Sequence, residues 1–509
     1  MIPLLSREAV RAVDADAVAR LGVASCILME NAGRGAFDQL REHYPTALDD
    51  VLIIGGVGQN GGDAWVVARH LILHGHRPRC VLVGDRAKVA GDALPNLISL
   101  ERLNGAVLSI GNGNLAELEP LLRSARVIVD GLFGTGLDRP VSGLYATVIE
   151  RINAADAPRI ALDIPSGIDA DSGKVLGVAI KAALTVTFAA HKRGLHQHPG
   201  AAHVGELVCV GIGVPVPGSS DYAVIEASDV AAALPLRAAD THKGRGGHVL
   251  VIAGAPGRTG AAVLAGHAAL RAGAGLVTLC PRAGARAALD AKVLELMTVD
   301  LPAELEAAVG YVIEQMRTKH AAVIGPGLGT DEEGATLARR LALELEKPCV
   351  LDADALTAFS GRATVLRAAS GPRILTPHPA EAARILEQST EQVQADRYAA
   401  ATRLATMTGA VVVLKGARTV VAEPGGQVRV CPLDVPALAV AGTGDVLAGI
   451  VTTLVTQLDP FTAAATGVYL HALAGKRAAQ ADRGLFAHEV ADACPAALAS
   501  CRHAAPHGS

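Results

Sequence analysis

An α/β fold with two separate parallel sheets is predicted for this 509-residue chain. Short apolar runs typical of buried parallel strands alternate with helical patterns along the sequence, and glycine-rich turns follow many of these runs. The alternation is interrupted once, after Gly211, by a stretch rich in proline, glycine and serine, and the length also favours two domains. We therefore predict a first domain over residues 1–215, a linker over 216–240 and a second domain over 241–509.

The composition argues against several classes of function. A net charge of −4 without basic runs disfavours nucleic-acid and acidic-membrane partners, and an aromatic content of 3% leaves few side chains for base stacking. No apolar run has the length of a membrane span, and charged residues interrupt the N-terminal segment where a signal peptide would be apolar. We expect a cytoplasmic protein with no nucleic-acid or membrane partner.

The eight cysteines are scattered and form no C-x-x-C pair. This pattern is typical of small buried hydrophobic residues in a reducing compartment, not of a disulfide or zinc framework. Those expected to lie in or beside strands are Cys80, Cys209, Cys280, Cys349 and Cys431.

The first domain opens with a helical pattern from Ser6 to about Tyr44, broken near Gly22. A buried strand is predicted at 51–54, followed by a glycine-dense turn that contains Asn60 and Asp63 and by a helix from about Gly62. Strand, glycine turn and helix form the layout of a phosphate-binding βα unit. The spacing matches neither the G-x-G-x-x-G pattern nor a P-loop, which disfavours a standard nicotinamide fold or an NTPase.

Two further predicted strands of this domain end in carboxylates. The run 127–129 is followed by Asp130 and then by the turn Gly134–Thr135–Gly136, and the run RIAL is followed by Asp163. Ligands of open α/β sheets bind at the carboxyl ends of the strands. We therefore expect these strand ends and the turn after residue 54 to build one crevice.

Four motifs in this order resemble the YjeF N-terminal domain family, the NAD(P)H-hydrate epimerases: LMENAG, GQNGGD, VDGLFGTGL and DIPSGID. The resemblance spans roughly residues 1–215 and implies a Rossmann-like three-layer fold. It implies that Asp163 is the acid/base that inverts the C6 carbinol of the hydrated nicotinamide. It also implies a potassium ion held by Asn60, Asp130 and Ser166, and oxygen-only ligands suit such a hard cation. The residues implied to contact the dinucleotide are Gln59, Asn60, Gly61, Gly62, Asp63, Gly134, Thr135, Gly136, Leu137, Asp138, Arg139, Pro140 and Asp163.

The chain departs from this family pattern at three positions. The family usually has asparagine where this chain has Gln59 and glycine where it has Ala64, and it often has alanine where this chain has Gly131. We expect the larger Ala64 to narrow the nucleotide side of the pocket.

The second domain repeats the alternation of strands and helices. A basic glycine turn precedes a strand at 249–253, an alanine-rich helix follows over about 259–272, and the next strand is predicted at 276–279. A hairpin after Lys415 is predicted to act as a lid. Polar or glycine-rich turns that follow later strands are GPGLG, Asp352 with Asp354, Thr376 with His378, and Lys415 with Gly416.

The stretch 439–451, AVAGTGDVLAGIV, carries the clearest chemistry of the second domain. Gly442 and Gly444 flank Thr443, and an apolar run at helical spacing follows Asp445, which predicts a tight turn that opens a helix. The N–H groups and dipole of a first helical turn attract anions, most often phosphate. The same dipole favours an ionised Asp445, so we expect it to stay charged and to accept a proton during phosphoryl transfer. A plain helix start with an acidic first turn is the alternative interpretation.

HKGRGG, GAGLVT, GPGLG, DADAL, TPHPAE, LKGART and AGTGD together resemble the ribokinase-like ADP/ATP-dependent NAD(P)H-hydrate dehydratases, over roughly residues 225–500. The resemblance implies a ribokinase-like α/β domain with Mg²⁺ at the nucleotide phosphates. It implies that Gly327 or Gly329, His378 and Asp445 contact the hydrated cofactor, with Asp445 as the base. The family usually has glycine at Ala380, so we expect a shifted turn after His378. The residues implied to bind ADP or ATP are Lys415, Gly416, Ala417, Arg418, Thr419, Gly442, Thr443 and Gly444.

Together the two resemblances predict a bifunctional metabolite-repair enzyme, an isomerase and a lyase on one chain. It would interconvert the R and S forms of hydrated NADH and NADPH (NADHX and NADPHX) and dehydrate the S form to NAD(P)H at the expense of ADP or ATP. The alternative is a ribokinase-like small-alcohol or vitamin kinase fused to a non-catalytic nucleotide-binding module. Apolar helices such as 461–474 lead us to expect a homo-oligomer.

Overall fold

The computed structural model describes residues 1–504 and divides the chain into two compact units. Pro3–Ser220 form the N-terminal unit, and Met1, Ile2 and the chain from Asp221 onward form the C-terminal unit. Over the described residues, no helix has both the length and the apolar character needed to cross a bilayer.

Strands and helices alternate through the first 220 residues, as the sequence predicts. The strands are β1 (Ile2–Leu5), β2 (Val51–Gly55), β3 (Arg79–Val83), β4 (Val107–Ile110), β5 (Val127–Gly131), β6 (Arg159–Leu162), β7 (Leu184–Phe188), β8 (His191–Lys192) and β9 (Glu206–Val210). The α-helices are α1 (Arg7–Ala19), α2 (Ser25–His43), α3 (Gln59–Leu73), α4 (Ala93–Arg102), α5 (Leu118–Ser124), α6 (Gly143–Ala154) and α7 (Ala201–Val204).

The N-terminal unit is a three-layer sandwich, as predicted. Its main sheet has the order β4-β3-β2-β5-β6-β7-β9, and every neighbouring pair is parallel. Val51 and Ile53 of β2 pack into an apolar cluster with α2, α3 and α4. Leu52 and Ile54 pack into another with α5 and α6, so helices cover both faces of the sheet.

Helix α3 begins earlier than the sequence suggested. It was predicted to start near Gly62 but starts at Gln59, so Asn60 and Asp63 lie in its first turns and not in a loop. A Cβ on Gly61 would lie 2.0 Å from the carbonyl oxygen of Gly56, and one on Gly62 would lie 2.5 Å from Cε of Met29. These glycines therefore permit close packing of a helix, which is why they resembled a turn in the sequence.

The C-terminal unit contains a second layered α/β fold. Its strands are β10 (Tyr222–Val224), β11 (His248–Ile252), β12 (Leu276–Leu279), β13 (Met297–Thr298), β14 (Ala321–Ile324), β15 (Cys349–Leu351), β16 (Arg373–Leu375), β17 (Val411–Leu414), β18 (Val420–Ala422) and β19 (Val428–Val430). Its α-helices are α8 (Ala227–Ala233), α9 (Thr259–Arg271), α10 (Arg286–Asp290), α11 (Leu305–Met316), α12 (Glu332–Glu344), α13 (Asp354–Thr357), α14 (Pro379–Leu386), α15 (Thr390–Ala395), α16 (Arg397–Thr408), α17 (Thr443–Leu454), α18 (Pro460–Ala478) and α19 (Ala487–Ala504).

The central strands of this unit run parallel in the order β13-β12-β11-β14-β15-β16-β17. Antiparallel β18 and β19 extend the sheet, so the predicted hairpin is part of the sheet itself. One strand face packs with α9, α17, α18 and α19 in a single apolar cluster. The alternate strand residues, such as Leu250 and Ile324, are equally buried, so the opposite face is covered as well.

The segment 216–240, predicted as a linker, is structured over much of its length. Strand β10 pairs in parallel with β19, and α8 packs against α19 through its buried Val230. Both elements belong to the C-terminal unit, which begins at Asp221. Proline and glycine around 213–218 suggested a flexible connector because the strand and helix that follow are short.

Helix α18 is not the subunit contact that the sequence suggested. Its apolar residues, among them Ala463, Val468 and Leu470, are buried within their own unit, where α18 packs against α17 and α19. An internal helix of a layered domain is apolar on most sides, so its composition gives no support to a homo-oligomer. Two cysteines also differ from expectation, since Cys26 and Cys209 are exposed whereas the other six are buried.

Close packing of α17 against α9 depends on Gly449, because a Cβ there would lie 2.1 Å from the carbonyl oxygen of Ala265. We expect Gly449→Ala to lower the free energy of unfolding by about 3 kcal/mol, since two helix backbones would have to separate. Urea denaturation of the full chain measures the effect. Gly310→Ala is the matched control: this glycine also lies inside a helix, α11, but faces open space, so alanine should stabilise by up to about 1 kcal/mol. Equal unfolding midpoints for the two variants would contradict this account.

Candidate active sites

A cavity of about 650 Å³, the Asp163 cavity, lies at the carboxyl ends of β2, β5 and β6 in the N-terminal unit. Its volume is typical of small-molecule sites. The predicted crevice therefore exists, because all three strand ends contribute to one cavity. The predicted contact residues that line it are Gln59, Asn60, Asp63, Gly134, Thr135, Gly136, Leu137, Asp138, Arg139 and Asp163.

Asp163 is held in this cavity by its backbone and by two donors. It follows β6 with φ = +66°, a left-handed conformation that few non-glycine residues adopt, and its N–H donates to the carbonyl of Val186 on β7. The backbone N–H of Thr135 donates to Oδ2 of Asp163 over 3.1 Å. Oδ1 accepts a short hydrogen bond from Nζ of Lys192. The carboxylate is therefore fixed at the cavity wall.

Lys192 is fully buried beneath the cavity, yet each of its ammonium protons has an acceptor. Besides Asp163, Nζ donates to the hydroxyl of Thr187 and to the carbonyl of Phe188, both over 2.8 Å. A buried ammonium is stable only when it is paired and hydrogen-bonded. The arrangement places a proton donor directly beside the carboxylate that was predicted to act as acid/base.

Two more carboxylates face the same cavity. Burial raises the pKa of Asp63 well above its ordinary value, and the nearby charges of Asp163 and Asp14 raise it further. Burial, followed by the charge of Asp163, also raises the pKa of Asp14 on α1. Clusters of carboxyls with raised pKa values are typical of functional sites, since close like charges cannot all ionise.

Behind the cavity lies a second cluster of polar groups around Asp130. Oδ1 of Asp130 accepts from the hydroxyl of Ser166 over 2.6 Å, and Oδ2 accepts from the N–H of Ser166 over 2.9 Å. Burial nevertheless raises the pKa of Asp130 to about 6. Asn60 donates its amide to the carbonyl of Leu162, while its buried Oδ1 has no hydrogen-bond partner among the described residues.

In the C-terminal unit, the half-buried Lys415 and the buried Asp352 form an ion pair at the ends of β17 and β15. Nζ of Lys415 lies 2.8 Å from Oδ1 of Asp352, which also accepts from the hydroxyl of Thr376 over 2.7 Å. Burial lowers the pKa of Lys415, but Asp352 and Glu381 outweigh it and raise the pKa overall. Oδ2 of Asp352 is buried and has no hydrogen-bond partner within residues 1–504.

Asp445 lies in the first turn of α17, beside this pair. Burial and, next, the charge of Asp352 raise its pKa to about 7, against the lowering effect of Lys415. The expectation that the helix dipole keeps Asp445 ionised is therefore wrong. The dipole acts on a carboxyl that also loses water and faces a second carboxylate, and these two effects dominate.

The GTGD turn is positioned by a buried histidine. Nε2 of His471 on α18 donates to the carbonyl of Thr443 over 2.9 Å. Burial lowers the pKa of His471 to about 4, so its ring is neutral at physiological pH. Gly442 opens the helix with φ = +94°, and a Cβ on Gly444 would lie 3.3 Å from Nζ of Lys415. The glycines thus bring the backbone of the turn close to the Lys415–Asp352 pair.

The other predicted ligand contacts lie on loops at the same ends of this sheet. His378 caps α14 through Nδ1, which accepts from the N–H groups of Ala380 and Glu381, and burial lowers its pKa. The N–H of Gly329 donates to Oδ2 of Asp354, and Gly327 and Gly329 both have positive φ. These contacts order the loops around the carboxylates.

Comparisons with known proteins agree with this geometry. Residues 25–194 match the family model described as YjeF-related protein N-terminus, and residues 249–496 match that of NAD(P)H-hydrate dehydratase. The bifunctional NAD(P)H-hydrate repair enzyme Nnr of Moorella thermoacetica is 40% identical over 94% of this chain and 93% of its own. The chain belongs to this family of bifunctional NAD(P)H-hydrate repair enzymes.

Two solved structures are similar to the C-terminal unit of this repair-enzyme family member. A ribokinase-like superfamily protein of Enterococcus faecalis is 27% identical with a TM-score of 0.50, and the match covers 56% of this chain and 98% of that protein. An ADP/ATP-dependent NAD(P)H-hydrate dehydratase of Bacillus subtilis, co-crystallised with ATP and Mg²⁺, is 31% identical with a TM-score of 0.49 over 55% and 98% of the two chains. The first confirms the ribokinase-like fold.

Two of this repair enzyme's departures from the epimerase-domain pattern compensate for each other. Ala64 is fully buried and does not line the cavity, so it does not narrow the pocket as expected. A Cβ on Gly131 would lie 2.6 Å from the Cβ of Ala64. At this spacing of α3 and β5, only one of the two facing positions can carry a methyl group.

Not every predicted contact faces its site. Gly61 and Gly62 pack inside the N-terminal unit, and Pro140 lies outside the cavity lining. In the C-terminal unit, Arg418 forms a hydrogen bond with Asp434, and the hydroxyl of Thr419 donates to the carbonyl of Gly416. These side chains of the 416–419 loop, which also contains Ala417, therefore form hydrogen bonds within the protein. The turn after His378 accommodates Ala380 with both capping hydrogen bonds intact, which argues against the expected shift.

Sequence reasoning missed Lys192, His471 and the Lys415–Asp352 pairing. Lys192 follows the buried strand LTVTF. A lone lysine after such a strand was the one sequence feature that could have indicated a site residue here. His471 is one polar residue in an otherwise apolar stretch of α18. Both act through partners 28 or 29 residues away, and no local pattern predicts which residues such side chains contact.

Because the pKa of Asp445 is raised in the folded protein, the free energy of unfolding should depend on pH. The folded protein holds the Asp445 proton up to about pH 7, whereas the unfolded chain releases it near 3.8. The contribution of Asp445 to the free energy of unfolding therefore falls as the pH rises through this window and is constant above it. We measure this as the free energy of unfolding of Asp445→Asn minus that of wild type, obtained by urea denaturation. We expect this difference to grow by about 2 kcal/mol between about pH 5 and about pH 8. An advantage that is independent of pH would show that Asp445 titrates normally.

Proposed function

We propose that this chain carries both activities of its family: epimerisation of R- and S-NAD(P)HX in the N-terminal unit, and nucleotide-dependent dehydration of the S form in the C-terminal unit. The observation that supports this most directly is the presence of two separate acid–base sites on a chain that matches the relative over almost its whole length. An epimerase delivers the only form that the dehydratase uses, so the fusion has a chemical reason.

For epimerisation we assign Asp163 and Lys192 as the acid–base pair. Inversion at C6 requires one bond at that carbon to break and to re-form on the opposite face, with a proton removed from and returned to the hydroxyl or ring nitrogen. The Asp163 carboxylate accepts a proton, and the Lys192 ammonium beside it donates one. The buried pair is positioned before the substrate arrives, which lowers the reorganisation required in the transition state.

For dehydration we assign Asp445 as the base. It takes the proton of the C6 hydroxyl as the hydroxyl oxygen attacks the terminal phosphoryl group of the nucleotide. The bond between the terminal phosphoryl group and the rest of the nucleotide breaks, and the shortened nucleotide leaves. The ring nitrogen lone pair then expels phosphate from C6, and loss of a proton from C5 restores the dihydropyridine. A pKa of about 7 suits this task, because the base is partly free near neutral pH and still basic enough to accept the proton. The N–H groups of the GTGD turn stabilise the transferring phosphoryl charge.

The alternative for the C-terminal unit, a small-alcohol or vitamin kinase, is less well supported, because residues 249–496 match the family model of NAD(P)H-hydrate dehydratase. It would release a stable phosphorylated product. The repair reaction instead regenerates the near-ultraviolet absorbance of reduced nicotinamide and releases phosphate. The Asp163–Lys192 pair favours repair, since a non-catalytic binding module has no need of a buried lysine–carboxylate pair.

We assign the cluster behind the Asp163 cavity to a potassium ion. The buried Oδ1 of Asn60 has no hydrogen-bond partner among the described residues, and burial raises the pKa of Asp130 to about 6. With the hydroxyl of Ser166 these groups form an oxygen-only set, which fits a hard monovalent cation. A potassium ion held by these oxygens would offset the buried charge of Asp130.

We likewise assign Mg²⁺ to the nucleotide in the C-terminal unit. The free Oδ2 of Asp352 is a buried carboxylate oxygen near the GTGD turn, the kind of ligand Mg²⁺ prefers beside phosphates. The ion shields phosphate charge, while Lys415, paired with Asp352, holds that carboxylate in place.

Reciprocal variants test the two-site assignment. We expect Asp163→Asn to lower kcat for epimerisation by at least about 10³-fold while ADP-dependent dehydration of pure S-NADHX continues, and Asp445→Asn to do the reverse. Epimerisation is followed by chromatography of the two epimers and dehydration by absorbance of NADH. Loss of both activities in either variant would contradict two independent sites, and a stable phosphorylated product would favour the kinase alternative.

Potassium should stabilise the N-terminal unit. We expect its unfolding temperature to rise by about 3 °C in KCl relative to tetramethylammonium chloride at equal ionic strength, because the ion binds only the folded state. Asn60→Ala and Asp130→Asn should abolish the difference. Asp138→Asn, a cavity carboxyl outside the proposed set, is the control and should retain it. A potassium effect that survives in Asp130→Asn would mean that the ion binds elsewhere.

A further inference from the structure

Helix α1 forms one wall of the Asp163 cavity, although it precedes the segment that matches the epimerase-domain model. The residues of α1 that line the cavity are Val10, Arg11, Asp14 and Val18. Their spacing places them on one face of the helix. The wall is fixed at its start, because Ser6 caps the helix and Arg7 bonds to Asp169 over 2.6 Å.

Arg11 extends from this wall towards the loop at 134–139. A Cβ placed on Gly136 would lie 3.9 Å from Nη2 of Arg11, so the guanidinium lies over that loop. Arg139 lines the cavity from the loop itself. Within residues 1–504, neither the side chain of Arg11 nor that of Arg139 has a hydrogen-bond or ion-pair partner. Both guanidinium groups therefore retain all their donors for a ligand.

The charge distribution of the cavity restricts where an anionic ligand can place its phosphates. Five aspartates line the cavity: Asp14, Asp63, Asp92, Asp138 and Asp163. The ammonium of Lys192 has its three acceptors within the protein, including Asp163. A phosphate near Asp163 and the neighbouring Asp63 would meet carboxyl groups, whereas one beside Arg11 and Arg139 would be attracted to two guanidinium groups that have no ion-pair partner within residues 1–504.

We propose that Arg11 on α1, together with Arg139 on the loop at 134–139, binds a phosphate group of the dinucleotide. The inference rests on the proposed epimerase function and adds a contact from outside the family-model segment. A planar guanidinium donates two parallel hydrogen bonds to phosphate oxygens, which fixes direction as well as position. The phosphate is either the pyrophosphate, present in both substrates, or the 2′-phosphate, present only in NADPHX.

Steady-state epimerisation of R-NADHX and R-NADPHX by full-length Arg11→Gln tests the proposal. We expect KM to rise about ten-fold with kcat nearly unchanged, because the lost contact is made equally in the ground and transition states. An equal rise for both substrates identifies the pyrophosphate, and a rise for NADPHX alone identifies the 2′-phosphate. Arg11→Lys, which keeps the charge, should recover part of the loss.

The matched control is Arg20→Gln, at the end of the same helix. Arg20 is exposed, pairs with Asp16 and lies outside the cavity lining, so its KM values should equal those of wild type. Unchanged KM for both substrates in Arg11→Gln, or a fall in kcat alone, would overturn the proposal. These results differ from failure of the proposed function, in which wild type itself would not interconvert the epimers.

Discussion

Burial of carboxyl groups around the carboxyl ends of the parallel strands is the constraint on which both sites depend. A carboxyl group in this position is enclosed by loops and helix starts, so its charge must find a cation, find hydrogen-bond donors or be suppressed by a proton. Asp163 and Asp352 each have a lysine partner. Asp130 and Asp445 have none, and burial raises their pKa values to about 6 and about 7. The protein thus holds two carboxylates in fixed ionic contacts and leaves two available to a cation or a proton.

The layered fold follows from the same arrangement of strands. Strands such as β2 and β14 are buried on both faces, which requires helices on both sides and leaves the strand ends as the place where polar groups converge. Glycines then set how closely the elements approach. Positions 64 and 131 show this, because a Cβ on Gly131 would lie 2.6 Å from the Cβ of Ala64.

Sequence patterns predicted the architecture and the strand-end carboxylates because each of these features is local. An apolar run, the residue that ends it and the turn that follows lie within about ten residues of one another. Lys192, His471 and the lining face of α1 were missed because their roles depend on contacts with distant segments. The prediction that Asp445 stays ionised failed for a related reason. The dipole of its own helix is a local feature that the sequence shows, whereas the opposing charge of Asp352 comes from a distant strand.

The two chemistries require different solutions, and the sites differ accordingly. Inversion at one carbon returns every proton that it removes, so a donor and an acceptor must be present together, and this is the role we propose for the hydrogen-bonded pair Asp163–Lys192. Dehydration needs a base that takes the proton of the C6 hydroxyl while the hydroxyl oxygen is phosphorylated, after which phosphate leaves C6 and a proton leaves C5. A single carboxyl with a pKa near 7 meets that need, but only if neighbouring cations do not lower its pKa. Pairing Lys415 with Asp352 has this effect, because the positive charge next to Asp445 is largely offset before any nucleotide binds.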